Sequence, residues 1–288
     1  MPKISIITPY RNAEVFLPGL VRTLQQQTFP DWECLLVDDG SQDRSSEVVA
    51  RCSGGDPRFR PLTLPLEPAG GCGSRRPARP RNFGLGRING PLVAFLDCDD
   101  LWHPRKLEDQ LAFHHAGNLD LSVTAYGRFR RLEEGLEAVR CPPEQLSLGS
   151  MLRTNPIPLL TVLIRAELLE QGFPLVPHED YLLWLNLRRD HPELRYGRLP
   201  SLLAFYRLHA ANQSRHLLQV TGWTYGVFRR HGLGRAAALR QLVHWGITNT
   251  ARLLRERRPS VAMASPPLPL AQLLLRSPLP VEQRLAGD

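Results

Sequence analysis

The sequence lacks a long hydrophobic run. Its longest apolar stretch, residues 157–164, is interrupted by Thr161 and falls far short of the roughly 20 residues that a membrane-spanning helix requires. The first residues, Met-Pro-Lys-Ile-Ser-Ile-Ile, have neither the basic region nor the long apolar region of a secretion signal. We therefore expect no transmembrane segment and a cytoplasmic location.

Cysteines are few and show no pairing pattern. The five cysteines lie far apart without a C-x-x-C spacing, at positions 34, 52, 72, 98 and 141. An odd number at such spacings indicates neither a disulfide framework nor a zinc site, so we expect reduced thiols.

Acidic residues are outnumbered by basic ones. The 36 Lys and Arg residues against 28 Asp and Glu residues give a formal net charge of +8. A positive balance favours an anionic partner, which can be a nucleotide, a nucleic acid or a lipid headgroup surface. Charge alone does not choose among the three.

Strands and helices alternate in the first third of the chain. β-rich runs at 3–8, 32–37, 59–64 and 92–96 alternate with helical patterns over 15–27, from about 45, and over 81–88. The run 92–96 is apolar throughout, as in a strand covered on both faces. This order predicts an α/β fold with a parallel sheet, which binds ligands at the carboxyl ends of its strands.

The remaining elements follow a less regular order. We predict helices at 104–116 and 179–187 and strands at 121–129, 161–164 and 199–206. Two basic amphipathic helical stretches, 216–230 and 233–257, then precede a Pro-rich tail that starts at residue 259. We therefore place one domain at residues 1–214 and a helical extension at 215–288.

Three carboxylates follow the run 92–96. Asp97 and Asp99 have the D-x-D spacing that lets two carboxylates meet one divalent cation, and Asp100 comes next. Oxygen ligands favour Mg²⁺ or Mn²⁺, which keep positions open for phosphate oxygens. An acidic turn that caps the following helix is the alternative.

Further motifs lie around this turn in a characteristic order. They are Thr8-Pro9-Tyr10-Arg11-Asn12, Gln27-Thr28-Phe29, Val37-Asp38-Asp39-Gly40-Ser41, Arg81-Asn82-x-Gly84, Phe95-Leu96-Asp97-x-Asp99-Asp100, HEDYLLWLNL from His178 and FYRLHAANQS from Phe205. As a set they resemble family 2 of the inverting nucleotide-sugar glycosyltransferases. The resemblance implies the GT-A fold, a Rossmann-like, mostly parallel mixed sheet flanked by helices, here with a helical C-terminal extension. Pro80 departs from the family pattern just before Arg81.

The resemblance also implies a donor site and a metal site. Its donor-nucleotide residues would be Thr8, Pro9, Tyr10, Arg11, Asp38, Asp39, Arg81, Asp97 and Cys98, of which Cys98 is assigned no chemistry of its own. Asp39 would read the base, because a carboxylate can accept the imide N–H of uracil; a turn before a helix is the alternative role for Asp38-Asp39. Asp99 and His209 would hold Mn²⁺ or Mg²⁺, and Asp97 would contact the ribose or help to hold the metal. A hydrogen-bonded loop histidine is the alternative for His209.

The motif at residues 178–187 supplies the acceptor side. The resemblance implies that Asp180, with Glu179 beside it, takes the proton of the acceptor hydroxyl. Neighbouring helical residues point about 100° apart, so only one of the two can face the reaction centre. An acidic pair stabilised by the helix dipole is the alternative. Trp184 and Trp102 would line the acceptor pocket, although Trp184 can instead pack the helix of the base.

The implied reaction moves a sugar from a nucleoside diphosphate, with UDP-sugar favoured, to a hydroxyl of a polysaccharide, lipid-linked glycan or other glycoconjugate. Two other functions stay open. The Gly-Arg loop at 70–77 resembles the phosphate loop of sugar nucleotidyltransferases, although that loop should follow the first strand directly. A noncatalytic nucleic-acid-binding role would use the basic tail, but no nucleic-acid motif accompanies it, and no nucleic acid is expected.

The helical extension also allows two interpretations. Apolar residues edged by arginines, such as Trp223, Phe228 and Trp245, can make peripheral contact with the anionic inner face of the membrane. They can equally pack against the catalytic core or a second subunit.

Overall fold

One mixed sheet organises the chain. The computed structural model describes residues 1–65, 77–209, 217–257 and 270. The described strands are Ile4–Tyr10 (β1), Trp32–Asp38 (β2), Phe59–Thr63 (β3), Leu92–Phe95 (β4), Leu101–Trp102 (β5), Leu121–Phe129 (β6), Ala138–Arg140 (β7), Leu163–Arg165 (β8) and Tyr196–Arg207 (β9). Their order is β3-β2-β1-β4-β8-β6-β9-β5, and β7 pairs with β6.

Helices cover both faces of this sheet. They are Leu17–Gln25 (α1), Ser45–Ser53 (α2), Ala78–Leu85 (α3), Lys106–Ala116 (α4), Leu148–Arg153 (α5), Glu179–Asp190 (α6), Leu217–Arg230 (α7) and Arg235–Arg257 (α8), with 3₁₀ turns at Leu159–Thr161 and Ala166–Leu169. The predicted α/β class is confirmed. Among the described helices, none combines the length and the apolar character needed to span a membrane.

The parallel half of the sheet positions the site. β1 pairs in parallel with β2 on one side and β4 on the other, with Tyr10 opposite Asp38 and Ile7 opposite Phe95. The chain therefore runs outward from β1 to β2 and β3 and then returns to β4. Such a reversal opens a crevice at the carboxyl ends of the strands, where Tyr10, Asp38 and Asp97 come together.

Alternate residues of the central strands face two separate cores. Ile4 and Ile6 of β1 pack in a cluster with α1, α2 and α4. Ile7 of β1 and Phe95 of β4 pack in a second cluster with α6. All four side chains are almost completely buried, which explains why β4 is apolar at every position.

Two of the boundaries that differ from the predictions have a clear physical reason. Helix α3 begins at Ala78 instead of residue 81, because Pro80 is tolerated in a first turn, where its missing N–H breaks no helical hydrogen bond. Strand β8 begins at Leu163 because Thr161 closes a 3₁₀ turn, in which its hydroxyl donates to the Pro158 carbonyl at 2.7 Å. β5, β7 and α5 were not predicted, because each is too short to show a period.

The extension helices α7 and α8 pack on the core. Val227, Phe228 and Ala238 share the buried cluster of α6, and the rings of Tyr181 and Phe228 lie 6.1 Å apart. The boundary predicted at residue 214 lies outside the described residues, as do most of the Gly-Arg loop and of the Pro-rich tail. Leu270, the one described tail residue, is buried in the small cluster that contains Phe205.

Candidate active site

Of the three carboxylates in the turn after β4, Asp100 stabilises the fold. The Asp100 N–H donates to the Asp97 carbonyl at 3.1 Å, and the buried Asp100 carboxylate accepts the Arg207 N–H at 2.8 Å. Asp100 therefore attaches the end of β9 to the turn. The side chains of Asp97 and Asp99 keep 40% and 19% of their surface exposed, so these two carboxylates are accessible to a ligand.

The end of β9 brings His209 onto Asp99. His209 Nε2 lies 2.6 Å from Asp99 Oδ2, and Arg207 Nε donates to the Asp99 carbonyl at 2.8 Å. The ring of Phe16 packs 5.4 Å from the His209 ring. Two of the three predicted metal residues, far apart in sequence, are thus in direct contact.

The carboxylates suit an open cation site but not a closed cage. Within residues 1–65, 77–209 and 217–257, no group of three or more His, Cys, Asp or Glu side chains could hold a metal ion. Burial, and then the charge of Asp97, raises the pKa of Asp99, and a cation would relieve that repulsion. Mg²⁺ and Mn²⁺ sites with one or two carboxylates are completed by water and substrate phosphates. The accessible carboxylates of Asp97 and Asp99 fit this kind of open site, and His209 contacts Asp99 at its edge.

Arg81 links the donor side to helix α6. Its Nη2 donates to Asp97 Oδ1 at 2.7 Å and its Nη1 donates to Glu179. Burial opposes the charge of Arg81, but Asp97 and Glu179 outweigh it and raise the arginine pKa. Burial also raises the pKa of Glu179 to about 7, against the attraction of Arg81. Glu179 is only 6% exposed and is committed to this ion pair.

Asp180 has a different environment from Glu179. It is half-buried in the first turn of α6, where the helix dipole favours a carboxylate. Oδ1 accepts the Tyr181 N–H at 2.7 Å, and Oδ2 accepts from Asn155 Nδ2 at 3.1 Å. Of the two adjacent acids, Asp180 is therefore the one with surface available to a substrate hydroxyl.

The residue before this acidic pair contacts the extension. His178 adopts a left-handed conformation with φ of 55°, and its ring lies 5.3 Å from the ring of Trp223 on α7. Burial lowers the pKa of His178, although the charge of Asp180 opposes this shift. Helix α7 thus packs against the turn that leads into α6.

Two of the predicted donor residues, Thr8 and Tyr10, have buried side chains at the end of β1. Thr8 is fully buried, and its hydroxyl accepts from Cys34 Sγ at 3.7 Å. Tyr10 is 4% exposed, and its carbonyl accepts the Asp39 N–H at 2.9 Å. The side chains of Thr8 and Tyr10 therefore have almost no surface for a nucleotide.

The acidic pair Asp38-Asp39 at the end of β2 also divides into a buried and a more accessible residue. The carboxylate of Asp38, 7% exposed, accepts from the Ser41 N–H at 2.8 Å and the Ser46 hydroxyl at 3.1 Å. Asp38 therefore fulfils the alternative role of a turn residue. Asp39, Pro9 and Cys98 are half-buried at the crevice, and Arg11 is exposed; burial, followed by the neighbouring carboxylates, raises the pKa of Cys98.

The prediction that Trp184 and Trp102 line the acceptor pocket is wrong for their side chains. Trp184 is 1% exposed and Trp102 is 0% exposed. The indole N–H of Trp184 donates to the Ile157 carbonyl at 3.2 Å, and that of Trp102 donates to the Leu160 carbonyl at 2.9 Å. Both are core residues because a large aromatic ring with a satisfied N–H stabilises most when buried.

Sequence reasoning missed Asn155 and the position of Trp223 at the site. Asn155 belongs to none of the motifs, and no spacing rule joins it to Asp180, 25 residues away. Trp223 was recognised as an apolar extension residue, but its contact with His178 depends on how α7 packs. No local signal could have identified either contact.

Comparison with known proteins identifies the family. Residues 5–136 match the model of Glycosyl transferase family 2. An uncharacterized glycosyltransferase of Haemophilus influenzae is 30% identical over 237 residues, covering 81% of this chain and 91% of the relative. The Escherichia coli protein named UDP-Glc:alpha-D-GlcNAc-diphosphoundecaprenol beta-1,3-glucosyltransferase WfgD is 33% identical over 190 residues, covering 65% and 70%.

Solved structures agree on the fold. Staphylococcus aureus TarS residues 1–349, in complex with UDP-GlcNAc, superimposes with a TM-score of 0.62 at 21% identity and covers 91% of this chain and 77% of its own. Mycobacterium tuberculosis glucosyl-3-phosphoglycerate synthase, in complex with Mn²⁺, UDP and phosphoglyceric acid, gives 0.56 at 17% identity and coverage of 81% and 80%. The fold is GT-A, and the chain is an enzyme that belongs to glycosyltransferase family 2.

Proposed function

We propose that this protein is a metal-dependent inverting glycosyltransferase that transfers a sugar from a UDP-sugar to a hydroxyl of a polysaccharide, lipid-linked glycan or other glycoconjugate. The observation that carries the proposal is the arrangement around Arg81. Its guanidinium joins Asp97 of the D-x-D turn to Glu179, the residue next to the half-buried carboxylate of Asp180. The buried guanidinium of Arg81 thus lies between the D-x-D turn on the donor side and the first turn of α6, which carries the candidate base Asp180.

Each side of the reaction has its residues. Asp39 at the end of β2 would read the base, and Arg81 would stay paired with Asp97 beside the diphosphate. Asp99, Asp97 and His209 would hold Mn²⁺ or Mg²⁺, and the bound cation supplies charge neutralisation for the departing diphosphate. The similar proteins support these choices. The name of the E. coli relative gives UDP-Glc as its donor. The TarS structure is a complex with UDP-GlcNAc, and the glucosyl-3-phosphoglycerate synthase structure is a complex with UDP and Mn²⁺.

Asp180 would act as the base. It would accept the proton of the acceptor hydroxyl as the oxygen attacks the anomeric carbon on the face opposite the leaving diphosphate, which inverts that centre. Asn155 and the Tyr181 N–H would orient its two oxygens. A lipid-linked acceptor is supported by the diphosphoundecaprenol acceptor in the name of the E. coli relative, and we place the reaction at the inner face of the membrane.

The test combines nucleotide binding with turnover. Thermal melting with a panel of nucleoside diphosphates, with and without Mn²⁺, should give a metal-dependent shift for UDP, because a ligand that binds only the native state raises its stability. Asp180→Asn should abolish sugar transfer while keeping the UDP shift. Asp190→Asn, an exposed acid on the same helix, is the matched control and should turn over normally.

Three results would contradict the proposal. Turnover by Asp180→Asn would reject this residue as the base. Retention of the anomeric configuration in the product, read by NMR, would reject inversion. Absence of any nucleotide shift would reject the donor assignment.

A further inference from the structure

Helix α8 carries an exposed apolar stripe. Leu239, Val243 and Ile247 follow each other at intervals of four residues, which places them on one helix face. They are 55%, 61% and 62% exposed. The other face of α8 packs on the core through Ala238 and Trp245. The stripe is therefore additional to the apolar surface that attaches the helix to the protein.

The two helices of the extension carry basic but no acidic side chains around this stripe. Between Glu193 and Glu256 the sequence contains no acidic side chain. Arg235 precedes the stripe by one helical turn and Arg240 lies beside it, and both are exposed. Exposed arginines also end α7, at Arg229 and Arg230. The positive charge of this region thus has no carboxylate on α7 or on α8 up to Arg255 to balance it.

We propose that the outer face of α8, defined by Leu239, Val243 and Ile247 with Arg235 and Arg240, docks the protein on an anionic lipid bilayer. An apolar stripe flanked by arginines is the pattern of a helix that lies in the membrane interface, where apolar side chains enter the headgroup region and cations bind lipid phosphates. Nucleic acid would engage the arginines but leave the stripe in water. A second copy of this chain would bring like charges together across the interface.

Docking through α8 would also connect the bilayer to the site. Helices α6, α7 and α8 contribute to one buried cluster, and Trp223 of α7 contacts His178, two residues before Asp180. The membrane-facing helix and the proposed base are therefore parts of one packed unit. The benefit of docking rests on the proposed function, because a lipid-linked acceptor would reach the site from the same bilayer.

Vesicle flotation of the full-length chain tests the proposal. The wild type should float with phosphatidylcholine vesicles that contain phosphatidylglycerol, not with pure phosphatidylcholine, and salt should weaken this binding. The triple variant Leu239→Gln, Val243→Gln, Ile247→Gln should bind the anionic vesicles at least about tenfold more weakly. Leu132→Gln, which removes another exposed leucine on the turn after β6, is the matched control and should bind like the wild type.

A second variant separates charge from apolar contact. Arg235→Gln, Arg240→Gln should lose much of the preference for anionic vesicles while the UDP-induced melting shift stays unchanged. Equal flotation of the wild type and the triple variant would overturn the proposal, as would a wild type that floats with neither vesicle. So would a wild-type dimer that the triple variant dissociates in sedimentation velocity, because the stripe would then be a self-interface. A missing UDP shift with intact flotation would instead reject the proposed function alone.

Discussion

Arg81 and Asp97, 16 residues apart in sequence, are joined by a 2.7 Å ion pair at the carboxyl end of the sheet. The same guanidinium binds Glu179 on α6, so one buried cation holds together the turn after β4 and the first turn of α6. Arg81 is 5% exposed, so water cannot take the place of either carboxylate, and losing one of them would lower the stability of the fold.

Arg81→Met should strongly destabilise the fold. Glu179 would be left buried without a counter-charge, and breaking a buried pair in this way costs about 3–5 kcal/mol. Urea unfolding should show that loss at pH 8, and a smaller one at pH 5, where protonated Glu179 needs no cation. Arg105→Met is the control, since Arg105 pairs with Asp109 at 2.6 Å on the surface and should cost below about 1 kcal/mol. Equal losses for the two variants would contradict the role of Arg81.

His209→Ala should weaken Mn²⁺ binding. The imidazole contacts Asp99 at 2.6 Å and would supply the nitrogen ligand of an otherwise carboxylate site. Calorimetric titration of Mn²⁺ in the presence of UDP should show a loss of about tenfold or more in affinity. His115→Ala, at an exposed position of α4, should leave the titration unchanged. Identical Mn²⁺ affinity in both variants would show that His209 is only a hydrogen-bonded loop residue.

Asn155→Leu should lower kcat without raising the donor KM. The side-chain amide of Asn155 donates to Asp180 at 3.1 Å, on the acceptor side of the site. Misorientation of the base should therefore cost about tenfold or more in turnover. Steady-state kinetics with varied UDP-sugar would separate the two constants. Asn249→Leu, which removes an amide within α8, provides the comparison. A raised donor KM with full kcat would place Asn155 in the donor site instead.

Trp184→Phe should affect stability and leave acceptor binding unchanged. The substitution removes a fully buried indole and leaves the Ile157 carbonyl without its N–H donor. Such losses cost about 1–3 kcal/mol. Denaturant unfolding and the acceptor KM, measured on the same preparation, give the answer. A higher acceptor KM at unchanged stability would restore Trp184 to the acceptor pocket.

Lys106→Met should alter the pH dependence of stability. The Lys106 ammonium is fully buried, donates to Gln110 Oε1 at 2.7 Å and lies 4.1 Å from the Trp102 ring centre. Burial lowers its pKa from 10.5 to about 7, so between these values the unfolded chain binds more protons and stability rises with pH.

The unfolding free energy of the wild type, relative to Lys106→Met, should therefore increase between pH 7 and pH 9, at most by about 1.4 kcal/mol per pH unit. Lys3→Met, at an exposed position, should show no such trend. A difference between wild type and Lys106→Met that is constant with pH would mean that Lys106 stays charged in the folded state.

Local patterns were enough to predict the elements that position the site. β1 and β2 were recognised as β-rich runs, β4 was recognised because a strand buried on both faces is apolar throughout, and α4 and α6 were recognised by their helical patterns. The short elements β5, β7 and α5 have too few residues for a period. Helix α3 starts at Ala78, three residues before the predicted residue 81, because a first turn accepts Pro80.

The sequence by itself determined the family, the fold class and the identity of the carboxylates, because motif order and apolar periodicity are local properties of the chain. Only the tertiary structure decided how those residues divide their roles. It placed Asp100, Asp38 and Glu179 in structural contacts and left Asp97, Asp99 and Asp180 with accessible surface. It also buried Trp102 and Trp184, and it brought Asn155 to Asp180 and Trp223 to His178. These outcomes depend on burial and on contacts between residues distant in sequence, which are set when the helices pack on the sheet.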